Sequence, residues 1–246
     1  METLKGKTAL ITGGNSGIGY AAAKELKAQG AQVIITGRRH EAVANAAAQL
    51  GINGLVSDQG KVTDIEELAA EVAERFGKID ILFINAGVLG GSAIEGATES
   101  DFDHVMDVNF KGAFFTLSRF IPQLNDGATV VFLSSNLASM NAANSSIYSS
   151  GKAALNSVMK IAAVELAPRQ IRVNSISPGP TQTDLLNKLG LDDESRKGLD
   201  DYLIERTPLK KIGTAEDVAK LVAYLCGDAG SYITGTEIVI DGGNRL

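Results

Sequence analysis

Cysteine is almost absent from this chain: Cys226 stands alone, so an internal disulfide is impossible and one chain cannot build a thiolate metal cluster. Its expected place is that of a small buried hydrophobe on a helix. Only two histidines occur, His40 at the start of the second predicted helix and His104 within the fourth. They read as solvated or capping groups, too few and too far apart for a histidine-rich metal site or a hydrolytic triad, and no metal is expected. Proline is scarce, with Pro122, Pro168, Pro178, Pro180 and Pro208 well scattered, and no stretch is dominated by Ser, Gly or one sign of charge. Without a linker, the 246 residues read as one continuous domain. No apolar run reaches membrane-spanning length, and the amino terminus lacks the basic start and apolar stretch of a secretory signal. The expectation is a cytoplasmic protein with no membrane partner. A net charge of −6 without a cluster of Lys and Arg excludes a protein built mainly to grip nucleic acid.

What is present is a regular alternation. Short runs rich in β-branched residues fall at 8–12, 32–36, 54–57, 79–85, 129–134, 171–177 and 237–240. Between the first six lie segments with apolar residues at helical spacing, at 18–29, 41–50, 65–76, 102–124 and 146–167. Strand, helix, strand in steady succession means a parallel sheet covered on both faces, a doubly wound α/β fold of about seven strands. Runs such as Ile81-Leu82-Phe83-Ile84 are apolar throughout, as expected of a strand buried on both sides. Ligands in such sheets bind beyond the carboxyl ends of the strands, so the loops after the strands are the places to look for chemistry.

The loop after the first strand reads Thr12-Gly13-Gly14-Asn15-Ser16-Gly17-Ile18-Gly19. Glycines there allow unusual backbone angles and let main-chain N–H groups approach a pyrophosphate at a helix amino terminus. A glycine-rich turn alone is weak, but its place in the first βα connection favours a dinucleotide seat. Much further on, Tyr148 and Lys152 lie four apart on a predicted helix, on one face and a turn from each other. An ammonium beside a phenol, whose reference pKa is about 10, favours the phenolate and is expected to bring Tyr148 toward neutrality as an acid or base.

The turn's T-G-x-x-x-G-I-G spacing, with Tyr148-Ser149-Ser150-Gly151-Lys152, closely resembles the short-chain dehydrogenase/reductase family, and the resemblance covers practically the whole chain. Further matches fall in the family's order: Asn85-Ala86-Gly87, Asn109 in Val108-Asn109-Phe110-Lys111-Gly112, Ser135, Pro178-Gly179, and the tail through Asp241-Gly242-Gly243. The length suits the shorter branch of that family rather than its extended branch of epimerases and dehydratases. The resemblance implies a Rossmann-type single domain and a catalytic set of Asn109, Ser135, Tyr148 and Lys152. In that set Tyr148 is the acid/base, Lys152 also holds the nicotinamide ribose, Ser135 orients the carbonyl or alcohol, and Asn109 supports a water-mediated proton relay. It further implies cofactor contacts from Gly13, Asn15, Ser16, Gly17, Ile18, Gly19, Asp58, Asn85, Ala86, Gly87, Pro178, Gly179, Thr181 and Thr183, besides Tyr148 and Lys152. Ser134 adjoins Ser135 but points to the opposite face if the strand persists, and reads as structural. Asp58 is placed at the adenine on the register in which Asp64 starts the next helix; a shift would put Lys61 there. Ile84 replaces the Asn that often precedes Asn-Ala-Gly.

Cofactor choice is read from Ile35-Thr36-Gly37-Arg38-Arg39. An acidic residue ending the second strand bonds ribose hydroxyls, whereas arginine favours a 2′-phosphate. Gly37 holds that position and Arg38 and Arg39 follow, so NADP(H) is expected over NAD(H). The basic residue that NADP-preferring relatives often carry in the glycine turn is absent, Asn15 and Ser16 standing there. Residues 136–141, 144–147 and those after Gly179 should line the substrate pocket, and 181–206 reads either as a mobile amphipathic lid over it or as ordinary surface helices. The helix at 146–167 is apolar around much of its circumference and is expected to be buried on more than one side; the resemblance implies that such helices pair across a two-fold axis, giving a homotetramer. The leading reading is a carbonyl reductase acting on a small-molecule ketone or aldehyde. The alternatives are an NAD-dependent dehydrogenase of a sugar, polyol or steroid alcohol, a 3-oxoacyl-acyl-carrier-protein reductase, a non-catalytic dinucleotide sensor and, more distantly, a methyltransferase.

Overall fold

The computed structural model describes residues 3–140, 142–183 and 192–246. Seven parallel strands form one sheet: β1 (Thr8–Ile11), β2 (Gln32–Gly37), β3 (Asn53–Val56), β4 (Ile79–Ile84), β5 (Leu124–Leu133), β6 (Arg172–Pro178) and β7 (Glu237–Ile240). Their order is β3-β2-β1-β4-β5-β6-β7, so the winding reverses between β1 and β4 and opens a crevice at their carboxyl ends. In-register pairing of Leu10 with both Ile34 and Leu82 fixes the centre of the sheet.

Alternation along these strands sends side chains to two cores. Leu10, Ile34, Leu82, Val130, Phe132 and Val173 face α3 (Val62–Phe76), α5 (Ala113–Phe120) and α6 (Ser146–Leu166). Ala9, Ile11, Val33, Ile35, Phe83 and Ile176 face α1 (Gly17–Ala28) and α8 (Ala215–Cys226), with α2 (His40–Leu50) at the edge of the same face. Burying each such aliphatic side chain contributes about 1.5–3 kcal/mol, which holds the loops of the crevice on a rigid base. Local signals set the helix ends. A reciprocal capping box of Thr214 and Asp217 starts α8, and Gly51 at φ 59° ends α2 in the left-handed region that glycine tolerates.

Two expectations need correction. The helical segment at 102–124 is not one helix: α4 (Glu99–Met106) runs into a π-helical stretch at Asp107–Gly112, then α5, then a 3-10 turn at Ile121–Gln123. The π-helical stretch ends at a point of close packing. A side chain at Gly112 would lie 1.9 Å from the Gln59 carbonyl, so the backbone passes too close to the β3 loop for a regular residue. Strand β5 begins earlier than the β-branched run at 129, because Leu124 pairs with Ile79 before the register shifts and Thr129 pairs with Ile81.

In the segment 181–206, Thr181–Gln182 pairs with Gly213–Thr214 as a separate two-stranded sheet, and α7 (Asp193–Arg206) is capped by Asp192. Residues 184–191, with the leucines Leu185, Leu186, Leu189 and Leu191, lie outside the described residues, as does Asn141. Among the described residues no helix is long and apolar enough to cross a membrane, and no group of His, Cys, Asp and Glu is placed to hold a metal.

Candidate active site

The glycine turn is tied to the loop after β4 by one buried threonine. Thr12 Oγ1 accepts from the backbone N–H groups of Asn85 and Ala86, both at 3.0 Å, and Asn85 Nδ2 donates to the carbonyls of Thr12 (2.8 Å) and Gly13 (3.1 Å). Gly13 and Gly17 adopt φ of 64° and 54°, and a Cβ on Gly13 would stand 2.8 Å from Ala86 Cα, so both the angle and the space demand glycine. Helix α1 then starts with no side-chain cap at Ser16 and no acidic residue in its first turn. Its first N–H groups and positive dipole end are thus left for an anion, which fits the pyrophosphate of a dinucleotide.

One cleft carries the turn (Gly13, Asn15, Ser16, Gly17 and Ile18), the end of β2, the end of β3, the Asn85-Ala86-Gly87 loop, and Tyr148 and Lys152. At its β2 end Arg38 and Arg39 are exposed and have no ion-pair partner among the described residues. The neighbouring Gly37 is sealed by Asn15: a Cβ there would lie 2.3 Å from Asn15 Oδ1. Asp58 lines the cleft, its Oδ1 accepting from Gly60 N at 3.0 Å; the helix that follows starts at Val62, with Asp64 in its first turn rather than at its start. Thr183 closes over the turn, 3.4 Å from where a Gly17 side chain would begin.

At the other end, α6 carries Tyr148 and Lys152 on its inward face. Lys152 Nζ is buried, donates to the Leu133 carbonyl at 2.7 Å and stands 5.8 Å from the centroid of the Tyr148 ring. Burial pulls its pKa down from 10.5 to about 8. The expected lowering of Tyr148 does not occur in the protein alone: burial raises its pKa, and a hydrogen bond with Ser135 opposes only part of that. Tyr148 is therefore held as the neutral phenol, a proton donor. Ser135 Oγ also accepts from Leu137 N at 3.2 Å, while Ser134 Oγ turns the other way and donates to the Lys152 carbonyl at 3.3 Å, as expected of a structural neighbour. Asn109, 1% exposed, makes a two-way pair with Val88, accepting from its N–H at 2.8 Å and donating to its carbonyl at 2.9 Å.

Comparison with known proteins agrees with this geometry. A family model described as enoyl-(acyl carrier protein) reductase matches residues 13–245. The human protein dehydrogenase/reductase SDR family member 4 is 35% identical over 251 residues, spanning 98% of this chain and 88% of its own. A short-chain dehydrogenase/reductase of Brucella melitensis, named as a glucose/ribitol dehydrogenase, superposes with a TM-score of 0.93 at 31% identity over 99% of this chain and 98% of that one. A short-chain dehydrogenase of Burkholderia cenocepacia in complex with NADP gives 0.91 at 34% identity, over 99% and 100%. This chain belongs to the short-chain dehydrogenase/reductase family. It is thus a short-chain oxidoreductase acting on small molecules.

Within that family frame, several residues named from the sequence stand outside the cleft wall. Gly19 lies beneath the turn, where a Cβ would come within 2.4 Å of the Gly13 carbonyl, so its part is close helix-to-strand packing. Asn109, Ser135, Pro178, Gly179 and Thr181 are likewise not among the residues that line it, although Ser135 reaches the lining residue Tyr148 by a hydrogen bond; Thr181 Oγ1 donates back to the Gly179 carbonyl at 3.0 Å, and a Cβ on Gly179 would meet Asp241. Conversely Thr36, Ser57, Gln59, Val88, Val108 and Leu133 line the cleft without having been singled out. Thr36, Ser57, Gln59, Val88 and Leu133 end or follow strands, where the rule of carboxyl-end binding points; Val108 adjoins Asn109.

Proposed function

We propose that this short-chain oxidoreductase uses NADP(H) to interconvert a ketone or aldehyde and an alcohol, and serves as a carbonyl reductase. The observation that carries the reading is one continuous cleft joining two arginines, which have no ion-pair partner among the described residues, to a half-buried tyrosine beside a buried lysine. The nicotinamide, when bound, supplies the hydride. Tyr148, held neutral by burial, supplies the proton to the substrate oxygen, so that the carbonyl gains one hydride and one proton. Ser135 orients that oxygen through its hydroxyl. Lys152 fixes the ribose and places a positive charge near the tyrosine as charge develops on the oxygen. Asn109, pinned to Val88, supports resupply of the proton through water.

Arg38 and Arg39 bind the 2′-phosphate by charge-assisted hydrogen bonds, and Asn15 over Gly37 fills the space in which an acidic residue would favour NAD. The Burkholderia relative with NADP supports this choice. Asp58 meets the adenine, and Pro178, Gly179, Thr181 and Thr183 support the nicotinamide half. The segment 181–206 covers the substrate. Apolar residues left exposed on α6 (Ile161 and Val164), on α5 (Phe114) and on α4 (Phe102) form the face through which subunits pair in a homotetramer. A second reading, oxidation of a sugar or polyol with NAD, draws on the name of the Brucella relative. Paired NADPH and NADH consumption on a panel of ketones and aldehydes, with Tyr148→Phe as control, separates the two. NADPH preference abolished in the control supports the reductase; NADH preference, with turnover on polyols, supports the alternative.

A further inference from the structure

We propose that Gln59 is a positioning residue that clamps the Asn85-Ala86-Gly87 loop to the Asn109 turn, so that the rate of the reaction depends on its amide. The proposal rests on the reading of the cleft as a hydride-transfer site. Gln59 lies just beyond β3, is 7% exposed and lines the cleft. Its Nε2 donates to two carbonyls at once, Ala86 O and Val108 O, each at 3.0 Å. Those carbonyls belong to the two segments that Asn109 also joins through its pair with Val88. Gly112, at the end of the π-helical stretch, presses on the Gln59 backbone from the same side. Thr12 fixes the opposite edge of the loop through Asn85 N and Ala86 N.

The amide's other end shows what is being selected. Gln59 Oε1 is buried without a hydrogen-bond partner among the described residues, and turning the amide over would set that oxygen against two carbonyl oxygens. A side chain present only to fill space carries no such cost, since an apolar residue of the same length fills it without an orphaned acceptor. The two donated hydrogen bonds are therefore what the position uses. Their effect reaches the chemistry because the loop they hold is close to it: a Cβ on Gly87 would stand 3.1 Å from Asn109 Oδ1 and 3.7 Å from Lys152 Nζ. Displacements well under 1 Å there change the reacting geometry, and misplacement of about 1 Å costs on the order of a hundredfold in rate.

The test uses Gln59→Met, which keeps length and loses both donors, and Gln59→Glu, which keeps shape and removes them. Thermal melting first establishes that each variant folds. For the folded variants, kcat, KM for NADPH, KM for the carbonyl and the isotope effect with 4-deuterated NADPH are measured. The expected result is a kcat lower by roughly tenfold or more in both, a carbonyl KM within about twofold of wild type, and a larger isotope effect as hydride transfer becomes limiting. Combining Gln59→Met with Asn109→Ala should cost less than the product of the two separate losses, because both act on one unit. A folded Gln59→Met enzyme with kcat within about twofold of wild type overturns the proposal. So does failure of both variants to fold, which makes Gln59 a structural residue only. Wild-type turnover in Tyr148→Phe is a different failure, since it removes the reading of the cleft on which the clamp depends.

Discussion

Lys152 is the residue whose removal should help the fold while destroying the reaction. Its ammonium is buried, and desolvation brings its pKa from 10.5 to about 8. A basic group with a depressed native pKa opposes folding while the unfolded chain carries the proton more readily. The cost is fully present below pH 8 and disappears as pH rises from 8 to 10.5. A shift of roughly 2.5 pH units corresponds to about 3 kcal/mol at pH 7. Lys152→Met removes that cost but also the 2.7 Å hydrogen bond to the Leu133 carbonyl, worth about 1–2 kcal/mol. The variant, free of cofactor, should thus be more stable than wild type by about 1–2 kcal/mol at pH 7 in urea unfolding. Its advantage should shrink as pH rises above 8 and reverse between about pH 9 and 10, leaving only the lost hydrogen bond above about pH 10.5. Tyr148, the titrating neighbour, is common to both proteins and largely cancels in the difference. A variant less stable than wild type by the same amount at every pH would refute the reasoning, since Lys152 would then carry no burial cost.

Other outcomes follow from the same geometry. Tyr148→Phe should lower kcat by about 10²–10⁴-fold with NADPH binding, read by fluorescence titration, little changed. Arg38→Ala should raise the KM for NADPH by roughly 10–100-fold and leave that for NADH alone, since only the 2′-phosphate contact is lost. Gly19→Ala should destabilise the protein by more than about 2 kcal/mol in urea unfolding, because the new methyl would meet the Gly13 carbonyl and Asn85 Nδ2 within 2.5 Å. Val164→Asp, on the exposed face of α6, should yield smaller assemblies by sedimentation if that face joins subunits.

Much of this molecule was legible before its coordinates. The alternation of apolar runs located all seven strands of the sheet, most plainly the central ones, which are buried on both faces and leave an unbroken apolar signature. Gly13 and Gly17, Asn85, Tyr148 and Lys152 were placed on one cleft because each ends a strand or lies one turn from another. Where the reading failed, the cause was contact between segments far apart in sequence. The π-helical stretch at Asp107–Gly112 ends where Gly112 passes close to Gln59, a contact that no local periodicity records. The pKa of Tyr148 was expected from its partner alone, whereas burial, a property of the whole fold, outweighs it. The clamp made by Gln59 is not legible in the sequence because its two acceptors lie 27 and 49 residues away.

The most direct test of the central claim is the rate of NADPH and of NADH oxidation, side by side, by the wild-type protein and by Tyr148→Phe against the same ketones and aldehydes. The cleft described here predicts carbonyl reduction that prefers NADPH and is lost with the phenol hydroxyl. Equal or better use of NADH would contradict the part given to Arg38 and Arg39, and undiminished turnover in Tyr148→Phe would contradict the mechanism itself.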